Sequence, residues 1–565
     1  MPKNCEIKFE DCFNLPNPGL RSYFDIVRKG QPDEYRTTFA RNESVQEVLK
    51  KWKPFVDSLT DKWPTLVDFE NDLAKKVGPM SIMKPLEARM KDIDAYYDGV
   101  KGHHQPILDS AISAVISEWS KSRGLQVRRQ SLTLSLMKKS TNSGSPYFTK
   151  RKNVVTKTAY CNVLGSNSRY VQYLGAPKFQ YLHDPGKFSY AYACTAILGW
   201  RGQEGGPTPD DVKQRVVWMF PFAVNLCELQ VYQPLIESAQ HFNTVPAWVS
   251  MDAVDREITS LFDTKGKDDL VVCTDFSKFD QHFGIPLQQA AKAIISAIFT
   301  ENEASRWWLN WIFPIKYDIP LAYDYGKVRC GKHGMGSGSG GTNTDETLSH
   351  RALQYEAAIK AGKKLNPHSM CLGDDGILSY PGITVDDVTR SYTVHGLEMN
   401  PDKQSASAHE CTYLRRWHHK DYRIDGVCVG VYSTYRALGR LMEQERYYDP
   451  ETWGPKMVAL RQLSILENVK WHPLRDQFAQ FCMSRDKYRL GIDIPGFLDN
   501  IEIEAKKAIE VMPDFLGYTK SMQTSDGEYS GISQWWIVQF LKKYKEGITY
   551  MKRRRHTRWK NSSST

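Results

Sequence analysis

The stretch that decides the fold reads Ser369-Met370-Cys371-Leu372-Gly373-Asp374-Asp375-Gly376-Ile377-Leu378-Ser379-Tyr380. Two short runs rich in apolar residues flank Gly373-Asp374-Asp375, and glycine and aspartate are residue types that tolerate tight turns. The pattern therefore predicts a β-hairpin that carries two adjacent carboxylates at its tip. Taken alone, an Asp-Asp pair in a turn more often belongs to an ordinary surface turn than to a functional site. Its interpretation therefore depends on the surrounding sequence.

Two further aspartates lie upstream, after a short strand-like run. Leu270-Val271-Val272-Cys273-Thr274 predicts a strand that ends at Asp275, and Asp280 follows in the same loop. After this loop, apolar residues at helical spacing predict a helix that contains Leu287, Ala291, Ile294, Ile295 and Ile298.

A glycine-rich loop precedes the hairpin and reads Gly334-Met335-Gly336-Ser337-Gly338-Ser339-Gly340-Gly341-Thr342. Segments of Gly and Ser are often flexible linkers, but here a predicted helix follows at once. Its apolar stripe comprises Leu348, Ala352, Tyr355 and Ile359, and Gly362 ends it. Glycines let a backbone approach a ligand closely, and Ser337 and Thr342 supply short hydrogen-bonding groups, so the loop is a candidate ligand contact.

The residue types of Asp275, Asp374 and Asp375 suit a site for divalent cations. Two carboxylates on adjacent antiparallel elements can hold two Mg²⁺ or Mn²⁺ ions about 3.5–4 Å apart, one activating a hydroxyl and one stabilising a leaving oxygen. Magnesium binds carboxylates together with water and substrate phosphate, so a few aspartates at strand ends suffice. These three residues are therefore the candidate catalytic metal ligands for phosphodiester synthesis.

The three segments resemble, in this order, the A, B and C motifs of viral RNA-dependent RNA polymerases. Motif A is Asp275-Phe276-Ser277-Lys278-Phe279-Asp280, motif B is the glycine-rich loop, and motif C is Gly373-Asp374-Asp375. The residues of the A and B motifs and the length of the chain are similar to those of the polymerases of picobirnaviruses, which are double-stranded RNA viruses. The resemblance implies an α+β right-hand fold, with fingers, palm and thumb in a closed, encircled arrangement and the aspartates on an antiparallel palm sheet.

The resemblance also implies which residues bind the nucleotide. Asp280 would help to recognise the ribose 2′-hydroxyl, whereas DNA-making relatives carry a bulky residue near that position. Ser337, Gly338 and Thr342 would contact the nucleotide from the B loop.

At one position the sequence departs from the family pattern. The family usually has Asn, sometimes Asp, four residues after the Thr of motif B, and here that position is Glu346. Asn343 or Asp345 could take over the role of the usual Asn in sugar recognition. Asn343 is the candidate nucleotide-binding residue.

Two basic positions have candidate roles at the phosphates. Lys213 and Arg215 resemble the fingers motif that holds a nucleoside triphosphate, although an exposed amphipathic strand would show the same pattern. Lys403 ends Gly396-Leu397-Glu398-Met399-Asn400-Pro401-Asp402-Lys403, which resembles the motif whose lysine protonates pyrophosphate. A lysine after a turn is otherwise an ordinary surface residue.

Two segments resemble RNA-contacting motifs. Thr141-Asn142-Ser143-Gly144-Ser145-Pro146-Tyr147 resembles the template-entry motif, and Thr412-Tyr413-Leu414-Arg415-Arg416-Trp417 resembles the hairpin that grips the primer or nascent strand. A half-buried strand could show the second pattern as well. The candidate RNA contacts are Asn142, Ser143, Gly144, Pro146, Tyr413, Arg415 and Arg416.

The positive charge of the chain is concentrated at one end. The formal net charge is +10, and six basic residues between positions 552 and 560 leave about +4 for the rest. The segment 551–565, basic and then Ser-rich, is predicted to be a mobile tail. The eleven cysteines have no C-x-x-C pair and are interpreted as reduced thiols. Neither a signal peptide nor a membrane-spanning helix is expected.

At 565 residues the chain is expected to divide into several domains. The predicted division is an N-terminal segment that bridges fingers and thumb (1–80), fingers (81–265 and 283–330), palm (266–282 and 331–424), thumb (425–525) and a C-terminal segment with the basic tail (526–565).

The sequence thus predicts an RNA-directed RNA polymerase that replicates and transcribes a viral double-stranded RNA genome, independently of a primer. Its expected partners are template and nascent RNA, nucleoside triphosphates and a viral capsid protein, with no membrane, in the virion interior and host cytoplasm. One alternative is a reverse transcriptase, but such enzymes carry a bulky residue near the position of Asp280. The other is a non-catalytic RNA-binding or capsid-interior protein, which the basic, aromatic tail around Trp559 favours but which leaves the ordered aspartates without a joint purpose.

Overall fold

The computed structural model of the chain describes residues 4–6, 19–145, 147–159, 195–324, 327–448, 453–508 and 531–562. The chain forms two compact units, each assembled from separate stretches of sequence. The first comprises Met1–Gln31, Met83–Arg201 and Gln214–Val429, and the second comprises Pro32–Ile82, Gly202–Lys213 and Gly430–Thr565.

The first unit mixes helices and strands. Its helices are Gly19–Lys29, Leu86–Asp98, Asp109–Glu118, Gln130–Leu136, Val155–Ala159, Phe222–Phe242, Pro246–Val249, Met251–Thr264, Ile285–Ile298, Glu303–Trp307, Thr342–Lys360 and Val385–Thr393. Its strands are Asn4–Glu6, Ala196–Gln203, Lys213–Met219, Val271–Thr274, Leu321–Asp324, Lys327–Arg329, Met370–Leu372, Asp375–Leu378, Ser405–Ser407, Glu410–Tyr413 and Arg416–His419. Two of these strands, Ala196–Gln203 and Lys213–Met219, run across the division between the units.

A four-stranded antiparallel sheet carries the predicted hairpin. The strands lie in the order Ser405–Ser407, Val271–Thr274, Asp375–Leu378 and Met370–Leu372. We call Val271–Thr274 the A strand. The predicted strand before Asp275 and the predicted hairpin are both confirmed.

One face of this sheet packs on an apolar core. Val271 and Ile377 are fully buried there, against Ile258 and Leu261 of the helix Met251–Thr264. Burial of a branched aliphatic side chain contributes about 1.5–3 kcal/mol, so this core fixes the register that brings the strand ends together.

The helix Thr342–Lys360, which we call the B helix, follows the glycine-rich loop as predicted. It packs against the helix Ile285–Ile298, which was also predicted, and against the helix Asp109–Glu118. Thirteen of its residues are buried. A helix that is enclosed on most sides is a rigid support, so its first turns can position the loop and the hairpin.

The second unit is mainly helical. Its helices are Val45–Asp57, Pro64–Ala74, Thr434–Met442, Pro455–Glu467, Arg475–Met483, Ile501–Ala508 and Trp536–Ser562, and its strands are Tyr35–Arg36, Val431–Tyr432 and Glu443–Gln444. The fully buried Glu70 accepts hydrogen bonds from the Thr434 main-chain N–H (2.9 Å), the Ser433 hydroxyl (2.7 Å) and His472 Nε2 (2.8 Å). A carboxylate at the start of Thr434–Met442 satisfies that helix terminus, so residues far apart in sequence share one core.

The last helix corrects one expectation. Residues 551–562, predicted as a mobile tail, continue the helix Trp536–Ser562. Lys and Arg are good helix formers and no glycine or proline follows Gly547, so nothing in the basic run ends the helix. In the part of the chain that the structure describes, no helix combines the length and apolar character needed to cross a membrane.

Candidate active site

The register of the four-stranded sheet brings the acidic residues to one end. Thr274, the last residue of the A strand, pairs with Gly376, so Asp275 lies one position beyond this pair. Asp375 stands directly before Gly376 on the neighbouring strand. The two carboxylates therefore belong to adjacent antiparallel strand ends, which is the arrangement that the sequence predicted.

The hairpin turn is tighter than predicted. Asp375 pairs with Leu372, which leaves only Gly373 and Asp374 in the loop. Gly373 has φ +57°, in the left-handed region that glycine adopts without strain. Asp374 is exposed at the tip and Asp375 is half-buried in the strand, so the two carboxylates of the pair differ in environment.

The B helix holds the hairpin turn through the main-chain N–H and the carbonyl oxygen of Gly373. The Gly373 N–H donates to Thr347 Oγ1 (3.0 Å), and His350 Nδ1 donates to the Gly373 carbonyl (2.8 Å). Burial lowers the pKa of His350 to about 4, so the ring is neutral with its proton on Nδ1. A Cβ on Gly376 would stand 2.6 Å from the His350 ring, so only glycine fits there.

The backbone of Asp275 is clamped by a single side chain. The Asp275 N–H donates to Gln404 Oε1 (2.7 Å), and Gln404 Nε2 donates to the Asp275 carbonyl (2.8 Å). Gln404 lies directly after the Pro401–Lys403 turn. Asp375 is fixed in a similar way, because its Oδ2 accepts the Leu414 N–H at 2.8 Å.

The electrostatics of the turn indicate a surplus of negative charge. Removal from water and then the carboxylate of Asp280 raise the pKa of Asp374. Removal from water and then the charge of Asp374 raise the pKa of Asp375 to about 7. Arg215 and Arg415 oppose the rise at Asp374. Carboxylates that resist ionisation next to one another are stabilised by a bound cation.

This donor set fits a Mg²⁺ or Mn²⁺ site. Within the described ranges, no three or more His, Cys, Asp or Glu side chains are already gathered into a metal cage. Mg²⁺ retains water and substrate phosphate among its ligands and needs only one or two carboxylates from the protein. Asp275, Asp374 and Asp375 supply those carboxylates at one sheet end.

Asp280, the second aspartate of motif A, faces Glu346 of the B helix. Their carboxyl groups are close enough for each to perturb the pKa of the other. Burial and the neighbouring Asp280 raise the pKa of Glu346 well above its ordinary value, and burial raises the pKa of Asp280 as well. The buried Tyr96 lies within the field of both carboxyl groups, and its carbonyl accepts the Gly334 N–H at 2.9 Å. Glu346 therefore lies on the side of the B helix that faces the acidic centre.

The B loop packs against the strand that carries Arg215. The Trp218 N–H donates to Ser337 Oγ at 3.3 Å. A Cβ on Gly338 would lie 1.7 Å from the Trp218 carbonyl oxygen, so the close approach requires glycine. Thr342 closes the loop from the other end, because its hydroxyl donates to the Gly336 carbonyl at 3.0 Å.

The two residues considered as replacements for the usual Asn have other partners. Asn343 Oδ1 accepts the indole N–H of Trp248 at 2.7 Å. Asp345 is fully buried and accepts from Tyr232 (2.7 Å), Tyr317 (2.6 Å) and Lys316 Nζ (2.9 Å). The Lys316 carbonyl accepts the Gly336 N–H, so this buried ion pair supports the B loop from below.

The basic candidates lie in different places. Arg215 is exposed in the first unit and lowers the pKa of Asp280 and Asp374, whereas Lys213 is exposed and belongs to the second unit. Lys403 is exposed and lines a cavity of about 690 Å³ together with Asp275. The structure thus brings Arg215 and Lys403 to the acidic centre.

The template-entry segment forms a compact turn, and Pro146 lies outside the described residues. Asn142 is exposed and its Oδ1 accepts the Gly144 N–H at 2.7 Å. Ser143 is buried, and a Cβ on Gly144 would lie 2.4 Å from the Phe220 carbonyl oxygen. Ser143 and Gly144 therefore shape the turn, and Asn142 presents a side chain to solvent.

The hairpin of Glu410–Tyr413 and Arg416–His419 divides its three candidates. Tyr413 is 1% exposed and belongs to the core beneath the sheet. Arg416 is buried and makes a bidentate ion pair with Asp255 (2.9 and 3.0 Å). Arg415 is exposed at the turn with φ +62°. Of the three candidates, Arg415 is therefore the one at the surface of the hairpin.

Sequence reasoning missed the residues that hold the acidic centre in place. Gln404 reaches a backbone 129 positions away, and no local pattern indicates such a contact. Thr347 and His350 lie at helical spacing on the B helix, so their shared direction was visible but their target was not.

Comparison with known proteins identifies the family. Residues 209–442 match the family profile of viral RNA-dependent RNA polymerases. The chain is 59% identical over 535 residues to a protein of human picobirnavirus described as a potential RNA-dependent RNA polymerase, covering 94% of this chain and 97% of the relative.

Solved structures agree with this relationship. A crystal structure of the RNA-dependent RNA polymerase of a human picobirnavirus matches with a TM-score of 0.86 and 56% identity, over 95% of this chain and 99% of that one. A mutant of a human picobirnavirus polymerase that lacks an insertion loop matches with a TM-score of 0.85 and 55% identity, with the same coverage. The matches confirm the expected α+β right-hand polymerase fold. The reverse transcriptase and the non-catalytic protein are no longer needed as alternatives, and the chain belongs to the viral RNA-dependent RNA polymerases, as a picobirnavirus-type member of that enzyme family.

Proposed function

We propose that the chain joins nucleotides on an RNA template by two-ion nucleotidyl transfer at Asp275, Asp374 and Asp375. The observation that carries this proposal is the strand register, which brings the three carboxylates to one end of the sheet. The raised pKa of Asp374 and of Asp375 supports it, because removal from water and the neighbouring carboxylates outweigh the nearby arginines.

Two Mg²⁺ or Mn²⁺ ions, when bound, would activate the attacking 3′-hydroxyl and stabilise the leaving pyrophosphate oxygen. Asp275 and Asp374 would hold the ions directly, because both residues are exposed at the strand ends. Asp375 is half-buried and already accepts a main-chain N–H, which suits a supporting ligand.

The neighbouring side chains would bind the incoming nucleoside triphosphate. Arg215 would neutralise phosphate charge, and a fixed cation at such a position costs no reorganisation during the reaction. Asp280 would accept a hydrogen bond from the ribose, at the B loop formed by Ser337, Gly338 and Thr342. Asn343 stands at the start of the B helix with its carbonyl oxygen engaged, which leaves its amide nitrogen as the group available to a nucleotide.

Lys403 is the proposed proton donor to pyrophosphate. It is exposed and shares the cavity of about 690 Å³ with Asp275, so its ammonium group can approach the leaving group. General-acid catalysis of this kind contributes typically about 10²–10⁴-fold to a rate.

Asn142 and Arg415 are the proposed contacts to template and nascent RNA, because both side chains are exposed. Ser143 and Gly144 would shape the template-entry turn, while Tyr413 and Arg416 would hold the hairpin from within. Arginine suits this task because its guanidinium binds phosphate through two parallel hydrogen bonds.

In biological terms, we propose replication and transcription of a viral double-stranded RNA genome, initiated without a primer. The picobirnaviral origin of the relatives supports this assignment. It also supports residence in the virion interior and host cytoplasm, with a capsid protein as partner.

Primer-free incorporation of labelled ribonucleotides on a short RNA template, with Mg²⁺ or Mn²⁺, tests the proposal. Asp374→Ala and Asp375→Ala should lose synthesis while RNA binding stays within about twofold, because the cations that hold RNA are unchanged. Asp374→Ala should be the more severe variant. Asp386→Ala, which removes an exposed aspartate elsewhere in the first unit, is the matched control.

Retained synthesis by Asp374→Ala would remove the basis for the two-ion site. Synthesis that depends strictly on an added primer would contradict the proposed initiation mode and leave the two-ion mechanism standing.

A further inference from the structure

The last helix, Trp536–Ser562, begins with an anchored part. Ile537, Val538 and Leu541 are fully buried. The carboxylate of Glu467 accepts the first two main-chain N–H groups of the helix at 3.2 and 3.1 Å. These contacts fix the start of the helix to the second unit.

Farther along, the helix has no packed side. Residues 549–552 are all exposed, with exposed fractions of 64% for Tyr550 and 66% for Met551. Successive residues of a helix are offset by about 100°, so four consecutive exposed residues mean that every side of the helix faces solvent. The change occurs near Gly547, where a Cβ would meet no atom within 4 Å. We call residues 549–562 the arm.

The arm carries a concentrated positive charge. Six of the nine residues from 552 to 560 are Lys or Arg, and no Asp or Glu follows Glu546. A helix rises 1.5 Å per residue, so the six charges are spread over about 12 Å. This density of roughly one charge per 2 Å is close to that of the phosphates along a nucleic-acid duplex, at about one per 1.7 Å. The arm therefore matches a nucleic acid in charge density.

Without an anion, the charges of the arm repel one another. Arg554 and Arg558 are four positions apart, and Lys552 and Arg555 are three apart. Like charges at these spacings destabilise a helix. The helix dipole favours cations only in the last turn, so it does not offset the repulsion along the whole arm. A bound polyanion removes the repulsion, so binding stabilises the helical form of the arm.

Two features favour a flexible single strand of RNA over a duplex. Positions 552–555 are four consecutive cations, which the helical offset distributes around the whole circumference. A rigid duplex contacts one side of such a helix, whereas a flexible strand can bend around it. In addition, the exposed Tyr550 stands next to the basic run and Trp559 lies within it. Aromatic side chains among cations are typical of sites that stack unpaired bases.

We propose that the arm is an accessory binding site for single-stranded RNA, separate from the acidic centre, which holds the strand by its phosphates. The inference rests on the proposed function only in that RNA is the substrate. A strand that is held at a second point stays near the enzyme when it leaves the acidic centre, which raises its effective concentration there.

The test measures the affinity of the full-length chain for a fluorescently labelled oligouridylate over a range of salt concentrations. The arm variant combines Arg553→Gln, Arg554→Gln and Arg555→Gln, because glutamine removes the charge and is itself a good helix former. The control variant combines Lys50→Gln, Lys62→Gln and Lys76→Gln, which remove three exposed charges elsewhere in the second unit. An RNA duplex of the same length is measured in parallel.

The arm variant should bind the single strand about 10–100-fold more weakly at about 0.1 M salt, with a plot of log K against log salt that is flatter by about 2. The control variant should keep the slope within about 0.5 of wild type. Tyr550→Ser should weaken binding without changing the slope, because stacking releases no counterions. With saturating primed template, kcat for single-nucleotide incorporation should stay within about twofold in all variants, because the arm contributes to binding and not to the chemical step.

An unchanged affinity and slope in the arm variant overturn the inference. An equal loss in the control variant also overturns it, because the attraction then depends on net charge alone. A loss confined to the duplex assigns the arm to duplex RNA and contradicts the proposal. A wild-type chain that binds the single strand through the arm and incorporates no nucleotide refutes the proposed function and leaves the accessory site standing.

Discussion

Gln404 provides the sharpest test of how the acidic centre is positioned. Its side-chain amide donates to and accepts from the backbone of Asp275 at 2.8 and 2.7 Å. Glutamine itself takes no part in the proposed chemistry, so Gln404→Ala removes the clamp and leaves every metal ligand in place. We expect slower incorporation with an almost unchanged fold.

The magnitude follows from the two lost hydrogen bonds. Each contributes about 0.5–1.5 kcal/mol net, so Asp275 loses roughly 1–3 kcal/mol of positional restraint. Since each 1.36 kcal/mol corresponds to about tenfold in rate, kcat should fall by about 5–150-fold. Displacement of a reacting group by about 1 Å costs about 10²-fold, which lies within the same range.

Stability should respond much less. Gln404 is half-buried and its partners on Asp275 are accessible to water, which can replace the lost hydrogen bonds. Surface changes of this kind usually stay within about 0.5 kcal/mol of the wild-type free energy of unfolding.

The assay is single-turnover incorporation at saturating nucleotide, with the melting temperature measured in parallel. Gln404→Glu keeps the acceptor but points a carboxylate at the Asp275 carbonyl, so it should be at least as slow as Gln404→Ala. Ser405→Ala changes the exposed neighbour and should behave as wild type. A wild-type kcat for Gln404→Ala, or a fall matched by global unfolding, would refute the positioning argument.

Three further outcomes are expected. Gly338→Ala places a Cβ 1.7 Å from a main-chain oxygen and should lose at least about tenfold in incorporation. Gly340→Ala meets side chains and no backbone, the nearest being Leu229 at 3.1 Å, and should stay within about threefold in the same assay. Lys316→Met strands the buried carboxylate of Asp345 and should cost about 3–5 kcal/mol in urea unfolding, part of which Lys316→Met combined with Asp345→Asn recovers. Burial and a neighbouring carboxyl group raise the pKa of Glu443 to about 9, so the folded chain keeps a proton that the unfolded chain releases near pH 4.5. Stability should therefore fall as pH rises between these values, and Glu443→Gln should reduce the fall by at least about 1 kcal/mol in urea unfolding at pH 6 and pH 8.5.

Local pattern was sufficient for the elements that carry the acidic residues. Apolar runs indicated the A strand and the hairpin, which bury Val271, Met370 and Ile377 in one core, and helical spacing indicated the B helix. The length of the turn was not predictable at this level. Whether Asp375 belongs to the turn or pairs with Leu372 depends on register, which the sheet partners decide.

Side-chain partners distant in sequence were the main limit. The alternating pattern of Tyr413 to Arg416 is compatible with RNA contact or with burial, and the presence of Asp255 on a separate helix decides for burial of Arg416. The same limit applies to the second unit, in which Pro32–Ile82 joins Gly430–Thr565. Contacts such as Glu70 with His472 span 402 positions and leave no local signature.

The B helix has a consequence for how the chain tolerates insertions and deletions. Thr342 closes the B loop, Glu346 faces Asp280, and Thr347 and His350 hold Gly373, all on the first turns of one helix. A helix advances 1.5 Å and 100° per residue, so adding or removing a single residue between 342 and 350 would rotate the last two contacts away from the hairpin. The same change near Gly362, past the end of the helix, alters only a loop. Length variation among functional variants should therefore be absent from the first segment and permitted in the second.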